Sequence, residues 1–171
     1  MRTTRTVVRP ATRSDVPALV ELRRANAEAH LALDPDVYRL PEREAVVRHF
    51  TTVLGDRAGG DAILVAEHDG QVVGMVEVLR LAEPPAHQIL RPQPSAQIHT
   101  VVSSTARGLG IGSALLDAAA RWATENGITS LSAGIHHRND GAVRFYRRHG
   151  YAPSGTLLNK PLCVPGHNPA P

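Results

Sequence analysis

Apolar and polar positions follow two different periods along this chain, and each period predicts one kind of element. Apolar residues spaced three and four apart indicate helices, whereas short β-branched runs bounded by turn residues indicate strands. The helical pattern covers residues 15–33, 41–54, 114–125 and 140–149. The strand pattern covers residues 6–9, 62–67, 71–81, 98–102, 130–135 and 156–162.

The order of these elements predicts the fold class. An Asp-Gly pair at 69–70 separates two strand runs and indicates a hairpin, and a proline-rich loop at 83–94 leads into a strand–helix–strand unit. A hairpin joined to such a unit is typical of an α/β protein with a mixed sheet and helices on both faces. We expect a single domain over residues 1–171, with its core at about 5–162 and a flexible tail at 163–171.

A glycine-rich segment, Arg-Gly-Leu-Gly-Ile-Gly-Ser at 107–113, connects the strand at 98–102 to the helix that follows. Glycines let the main chain approach a ligand closely, and the free N–H groups of a first helical turn point toward it. The segment therefore predicts an anion site suited to a pyrophosphate. Its spacing fits a dinucleotide fingerprint poorly, because another residue replaces the third glycine in both reading frames. A Walker P-loop is excluded because the chain has no Gly-Lys pair.

Two segments resemble the GNAT superfamily of acyl-CoA-dependent N-acetyltransferases. Arg107, Gly110 and Gly112 form the R-x-x-G-x-G pattern of the family's pyrophosphate loop, and residues 139–151 resemble its N-x-x-A-x-x-x-Y-x-x-x-G-[FY] segment. The resemblance implies a GNAT-like central mixed β-sheet whose two middle parallel strands splay apart. It also implies an N-acetyltransferase that moves an acetyl group from acetyl-CoA, its co-substrate, to a primary amine of a small molecule or peptide by direct attack. The alternative is a regulatory module that binds acyl-CoA without turnover.

The expected cofactor-binding residues come partly from the loop and partly from the resemblance. Main-chain N–H groups of residues 109–113 are expected to bind the pyrophosphate, Arg107 adds charge, and side chains at the two later glycines would collide with the phosphates. By resemblance, the main chains of two strand valines pair with the pantetheine arm, Asn139 bonds the arm, and Ala142 is small so that the arm can pass. The predicted set is Val101, Val102, Arg107, Gly108, Leu109, Gly110, Ile111, Gly112, Ser113, Asn139 and Ala142.

Three residues are candidates for proton transfer. Tyr146 shares a helical face with Asn139 and Ala142, and a phenol is a usable acid for a departing thiolate. The strand before the glycine loop carries no carboxylate, so the proton acceptor is either His99, directly or through water, or Glu77 on the preceding strand. A third alternative is that no base is needed because the amine has a low pKa.

Composition excludes several other classes of protein. The chain is 42% hydrophobic and 20% charged, as globular proteins are. Its formal charge is a modest +3, and the sequence lacks the dense basic stripe that is typical of a nucleic-acid binder. No apolar run could span a membrane, and the first residues do not form a secretory signal. The lone Cys163 cannot form an internal disulfide, and the histidines lack metal-ligand spacing. We therefore expect a cytoplasmic protein with no metal, no nucleic-acid partner and no membrane partner.

The acceptor is not fixed by the sequence. The first helices and the strand-connecting loops set specificity in the family, and here these regions carry the acidic residues Asp34, Asp36 and Glu83 as candidates to hold a cationic amine. Tyr38 is a candidate to line the acceptor pocket. Aminoglycosides, polyamines, amino acids and protein N-termini remain open as acceptors, and a homodimer remains open as the oligomeric state.

Overall fold

The structure is a computed structural model that describes residues 6–56, 60–160 and 162. The strands are β1 (Thr6–Pro10), β2 (Ala62–His68), β3 (Gln71–Arg80), β4 (Ser95–Val102) and β5 (Ser130–Ser132). The helices are α1 (Val16–Leu33), α2 (Arg43–Gly55), α3 (Ile111–Glu125) and α4 (Asp140–Arg148). Two short 3-10 turns, Arg13–Asp15 and Ser104–Ala106, precede α1 and α3.

The five strands form one mixed sheet in chain order, with antiparallel pairs from β1 to β4 and a parallel pair between β4 and β5. Side chains of a strand alternate between the two faces of the sheet. One face carries Val76 and Ile98 in a core cluster with residues of α3 and α4, and the other carries Met75 and Val101 in a cluster with residues of α1 and α2. The prediction of a mixed sheet with helices on both faces is confirmed. No helix within the described ranges has the length and apolar character needed to cross a bilayer.

The parallel pair of strands separates soon after it begins. β4 and β5 are paired over three positions only, from Ser95 opposite Ser130 to Gln97 opposite Ser132. Residues 98–102 of β4 remain paired with β3 but have no β5 partner, since β5 ends at Ser132. β4 thus has an open edge at 98–102, as the resemblance implied for the middle strands. The expected strand at 130–135 is correspondingly shorter than predicted.

The predicted last strand at 156–162 is wrong over the residues that the structure describes. Residues 156–160 have no strand assignment, and Leu157 and Leu158 are 85% and 87% exposed. A strand needs a ladder partner and a face to bury, and these leucines have no buried face to pack on. Arg5, at the start of the expected core, and the expected flexible tail at 163–171 lie outside the described residues.

Candidate active site

The first turn of α3 presents unpaired main-chain donors. Gly110 is the N-cap residue, with φ of 74° in the left-handed region that glycine adopts without strain. The Ala114 N–H donates to the Gly110 carbonyl at 3.0 Å. Within the described part of the chain, the N–H groups of Ile111, Gly112 and Ser113 have neither a main-chain acceptor nor a side-chain cap. These donors and the positive end of the helix dipole therefore suit an anion.

Helix α4 is packed directly against this turn. A Cβ built on Gly112 would lie 2.9 Å from Cζ of Phe145, so any larger residue at this place would force the Phe145 ring to shift. His149 Nδ1 lies 2.9 Å from the Phe145 carbonyl oxygen, and Nε2 lies 2.9 Å from Ser113 Oγ. In the tautomer that donates from Nδ1 to this carbonyl, Nε2 accepts and the Ser113 hydroxyl is the donor. Ser113 thus supports the turn through its side chain, and its N–H keeps no partner among the described residues.

The alternation of hydrogen bonds along β4 decides which of its residues present main-chain groups at the open edge. The Ser103 N–H donates to the Val73 carbonyl at 2.8 Å, and the Ser95 carbonyl accepts from Leu81 at 2.9 Å, so odd-numbered positions bond to β3. Main-chain groups at even positions then face the β5 side. Thr100 and Val102 consequently offer their main-chain groups at the open edge.

Of the two valines expected to pair with a pantetheine arm, the alternation favours Val102. Val101 stands opposite Met75 in the β3–β4 ladder, and its buried side chain belongs to the core cluster shared with α1 and α2. Its main chain is therefore directed at β3. Thr100 and Val102 are the pair of residues that an extended ligand could meet along this edge.

Tyr146 is buried on α4, next to the open edge. The residue is 8% exposed, and its ring contacts those of Phe145 and Tyr151 at centroid distances of 5.3 and 5.1 Å. Burial raises the pKa of the Tyr146 phenol, and the nearby hydroxyl and main chain of Thr100 oppose that rise in part. The phenol is therefore protonated at neutral pH, which is the state required of an acid.

A second polar group lies on the opposite face of the sheet, around the buried carboxylate of Glu77. Glu77 on β3 is 1% exposed and forms an ion pair with Arg23 of α1. His49 Nε2 of α2 lies 3.2 Å from Glu77 Oε1, and His99 Nδ1, across the strand pair on β4, lies 3.8 Å from Oε2. The Arg23 guanidinium also lies 5.6 Å from the centroid of the Phe50 ring, within the range of a cation–π contact.

The environment of Glu77 keeps it ionised. Burial raises the pKa of its carboxyl, but the contact with His99, the charge of Arg23 and the contacts with His49 and Arg23 outweigh burial and lower the pKa to about 2. A carboxylate with so low a pKa and so little exposure does not take a proton from a substrate at neutral pH. It lies within hydrogen-bond distance of His49 and within ion-pair distance of His99, and the side chains of His49 and His99 stay 47% and 40% exposed.

The sequence patterns did not single out Arg23 and His49, although a signal for each was present. Arg23 stands four residues after the buried Leu19, and His49 stands three after the buried Val46, so both lie close to the apolar stripes of their helices. A charged or titratable residue at such a position needs a buried partner. The sequence could not identify that partner, because Glu77 is 54 residues from Arg23 and 28 residues from His49.

Comparison with known proteins agrees with this geometry. The sequence profile of the Acetyltransferase (GNAT) family matches residues 20–151. The chain belongs to the GNAT acetyltransferase family. Within that family it is 34% identical over 102 residues to N-acetyltransferase 8B of Rattus norvegicus, a match that covers 60% of this chain but only 43% of the rat protein.

Solved GNAT structures share the fold. Ribosomal-protein-alanine N-acetyltransferase from Brucella melitensis superposes with a TM-score of 0.70 and 29% identity, over 88% of this chain and 87% of that one. The aminoglycoside N-acetyltransferase AAC(6')-Iy, solved in complex with CoA, superposes with a TM-score of 0.73 over 95% of this chain and 98% of that one. At 15% identity the second likeness concerns the fold alone.

The residues of this GNAT chain fit the acetyl-CoA that the family uses. The N–H groups at the start of α3 suit its pyrophosphate. Within the described ranges, no Cβ at Gly108 or Gly110 would meet another atom within 4 Å, so these residues leave the approach to that turn open. Asn139 caps α4, since its Oδ1 accepts from the Ala142 N–H at 3.1 Å. Arg107 and Leu109 are exposed beside the turn. Over the described residues, no group of three or more His, Cys, Asp or Glu side chains is arranged to hold a metal ion.

The loop that follows α1 in this GNAT chain is tied to the loop before α4. His136 Nε2 lies 3.0 Å from Asp34 Oδ2, and both side chains are nearly buried. Tyr38 is placed between His30 and His136, with ring centroids 4.9 and 5.6 Å away. Asp34 is therefore engaged by a partner within the protein, whereas Asp36 and Glu83 are exposed.

The contact between α3 and α4 predicts a large difference between two similar glycine substitutions. Gly112→Ala puts a methyl group 2.9 Å from the Phe145 ring and is expected to destabilise the fold by about 1–3 kcal/mol. Gly141→Ala, at the same place in the first turn of α4, meets only an atom at 3.9 Å and is expected to be neutral or stabilising by about 0.5–1 kcal/mol. Urea denaturation of both variants measures the difference, and equal stabilities would contradict the close packing at Gly112.

Proposed function

We propose that this chain transfers an acetyl group from acetyl-CoA to a primary amine of a small molecule or peptide, in the cytoplasm. The observation that carries the proposal is a juxtaposition. The unpaired N–H groups of the α3 turn, the open edge of β4 and the buried phenol of Tyr146 lie together at one end of the sheet. An anion site, an edge for an extended arm and an acid are three of the requirements of acetyl transfer.

In this proposal the main chain holds most of the co-substrate. The N–H groups of residues 109–113 bind the pyrophosphate, and Arg107 adds charge at its exposed side. Main-chain groups of Thr100 and Val102 pair with the pantetheine arm as a further strand would. Asn139 gives its Oδ1 to the α4 cap, so its amide nitrogen is the group left for the arm, and Ala142 keeps the passage open.

The proton transfers are divided between the two faces of the sheet. Acetyl-CoA supplies the acetyl thioester. His99 accepts a proton from the attacking amine, and Glu77 positions the imidazole instead of serving as the base itself. Tyr146 donates its proton to the departing sulfur. His99 and Tyr146 lie on opposite faces, so the amine and the leaving thiol are handled from opposite sides of the open edge.

The ion pairs of the buried carboxylates indicate how much positive charge the acceptor carries. Glu77 is paired with Arg23, and Asp34 with His136, so neither of these buried carboxylates offers unpaired negative charge to a polycation. That favours amines of low charge, such as those of peptides. The Brucella relative is named for acetyl transfer to a ribosomal-protein alanine. Aminoglycosides, the substrate class named for the CoA-bound neighbour, are the highly charged acceptors against which peptides and monoamines are compared in the test below.

Release of free CoA thiol tests the proposal. Purified protein with acetyl-CoA is given alanine-terminated peptides, monoamines, a polyamine and an aminoglycoside, and thiol release is followed with a chromogenic disulfide. We expect acceptor-dependent release, greatest with a peptide or monoamine, and mass spectrometry should show the acceptor heavier by one acetyl group. CoA binding without thiol release for any acceptor would contradict the enzyme and favour the regulatory module instead.

A further inference from the structure

Thr100 carries a buried hydroxyl that the fold itself does not use. The Thr100 Oγ1 atom is buried and has no hydrogen-bond partner in the part of the chain that the structure describes. A buried polar atom without a partner costs folding free energy, so such an atom calls for an explanation beyond packing. Valine has nearly the same shape and would fill the same space without that cost.

The position of Thr100 shows where that explanation lies. It stands on the open-edge part of β4, two residues after Ile98 and on the same face of the sheet. That face is covered by α3 and α4, and Tyr146 belongs to its core cluster. The Thr100 hydroxyl lies close enough to the phenol to lower its pKa. Among the described residues it has no partner within hydrogen-bond geometry in this state.

We propose that Thr100 is a positioning residue for Tyr146, whose hydroxyl donates a hydrogen bond to the phenolic oxygen as that oxygen gives up its proton. The inference rests on the proposed function. In the step concerned, the amine nitrogen forms a bond to the acetyl carbon and the carbon–sulfur bond breaks. The sulfur takes the Tyr146 proton and the base takes the amine proton. The phenolate left at Tyr146 is held by Thr100 until it regains a proton from solvent.

The need for such a donor follows from burial. A phenolate formed in an apolar cluster has lost the water that would solvate it, so its charge must be met by donors already in place. Hydrogen bonds to a charged oxygen are shorter and stronger than those to a neutral one. The Thr100 hydroxyl can therefore be unsatisfied before the reaction and satisfied during it.

The test compares Thr100→Val with Thr100→Ser, because the first removes only the hydroxyl and the second keeps it. Thermal unfolding is the readout that does not depend on turnover. We expect Thr100→Val to melt at the wild-type temperature or about 2–4 °C above it, because an unsatisfied polar atom has been removed. A clear fall in Tm, with a parallel fall in acetyl-CoA affinity, would show that the hydroxyl serves the fold and would overturn the inference.

Turnover then separates positioning from packing. We expect Thr100→Val to lower kcat about tenfold with acetyl-CoA affinity unchanged, and Thr100→Ser to recover most of that loss. In a Tyr146→Phe background, Thr100→Val should cause no further loss, because its effect passes through the phenol. Wild-type kcat in Thr100→Val, or an equal loss in both backgrounds, would overturn the inference. Absence of turnover in the wild type would instead overturn the proposed function, and this inference with it.

Discussion

Tyr146→Phe is expected to lower turnover by about 100-fold or more while leaving the affinity for acetyl-CoA unchanged. The substitution removes only the phenolic oxygen, so the ring still fills its place between Phe145 and Tyr151. Without an acid, the sulfur must leave as an unprotonated thiolate. Steady-state thiol release gives kcat, and isothermal calorimetry with CoA gives the affinity.

A neighbouring tyrosine provides the matched control. Tyr151 lies against Tyr146 with its ring centroid 5.1 Å away, and burial raises the pKa of its phenol to about 12. Tyr151→Phe removes a hydroxyl from the same aromatic group and leaves the hydroxyl of the proposed acid in place, so we expect kcat within about twofold of wild type. A wild-type kcat for Tyr146→Phe, or equal losses in both variants, would remove Tyr146 from the mechanism.

Glu77→Gln is expected to destabilise the fold by about 3 kcal/mol at neutral pH. The pKa of Glu77 is lowered to about 2 in the folded protein, against about 4.3 for an unperturbed glutamate. A carboxyl whose pKa is lowered by folding contributes stability that is fully present above pH 4.5 or so. That contribution is lost as the pH falls toward 2, because the folded state must then bind a proton.

The measurement for Glu77 is the pH dependence of the difference in unfolding free energy between wild type and Glu77→Gln. Urea unfolding of wild type and Glu77→Gln should differ most at pH 6–7 and progressively less from about pH 5 down to pH 3. Glu67→Gln is the control, because Glu67 is 36% exposed in its ion pair with Arg9, and such pairs contribute little, on the order of 1 kcal/mol or less. A wild-type stability for Glu77→Gln at pH 7 would contradict the ionised, paired state of this carboxylate.

Much of the fold could be predicted from local patterns, because the decisive signals are local. The Asp69-Gly70 turn has φ of 50° and 81°, which is the left-handed conformation that makes Asp-Gly a hairpin signal. Gly110 likewise ends the glycine loop at a φ that favours glycine and starts α3 there. Turn residues and helix starts are dictated by the backbone of a few neighbours, so the sequence displays them directly.

The rest depends on contacts between distant segments. The run at 156–160 has the residues of a strand but no described partner or buried face. The buried Glu77 group needs α1, α2, β3 and β4 to be assembled before Arg23, His49 and His99 can meet it. At Gly112 the collision of a side chain with phosphates stays a prediction, and the local sequence carries no sign of the Phe145 ring that a Cβ there would also meet.

The central claim is that the main-chain N–H groups at the start of α3 bind the pyrophosphate of acetyl-CoA. Titration of ¹⁵N-labelled protein with CoA, followed by amide NMR, tests it most directly. The account predicts saturable binding with the largest amide shifts at Gly110, Ile111, Gly112 and Ser113, and small shifts at the Asn126-Gly127 turn, which follows the opposite end of α3. Saturable binding that leaves these four amides unshifted, or no binding at all, would contradict it.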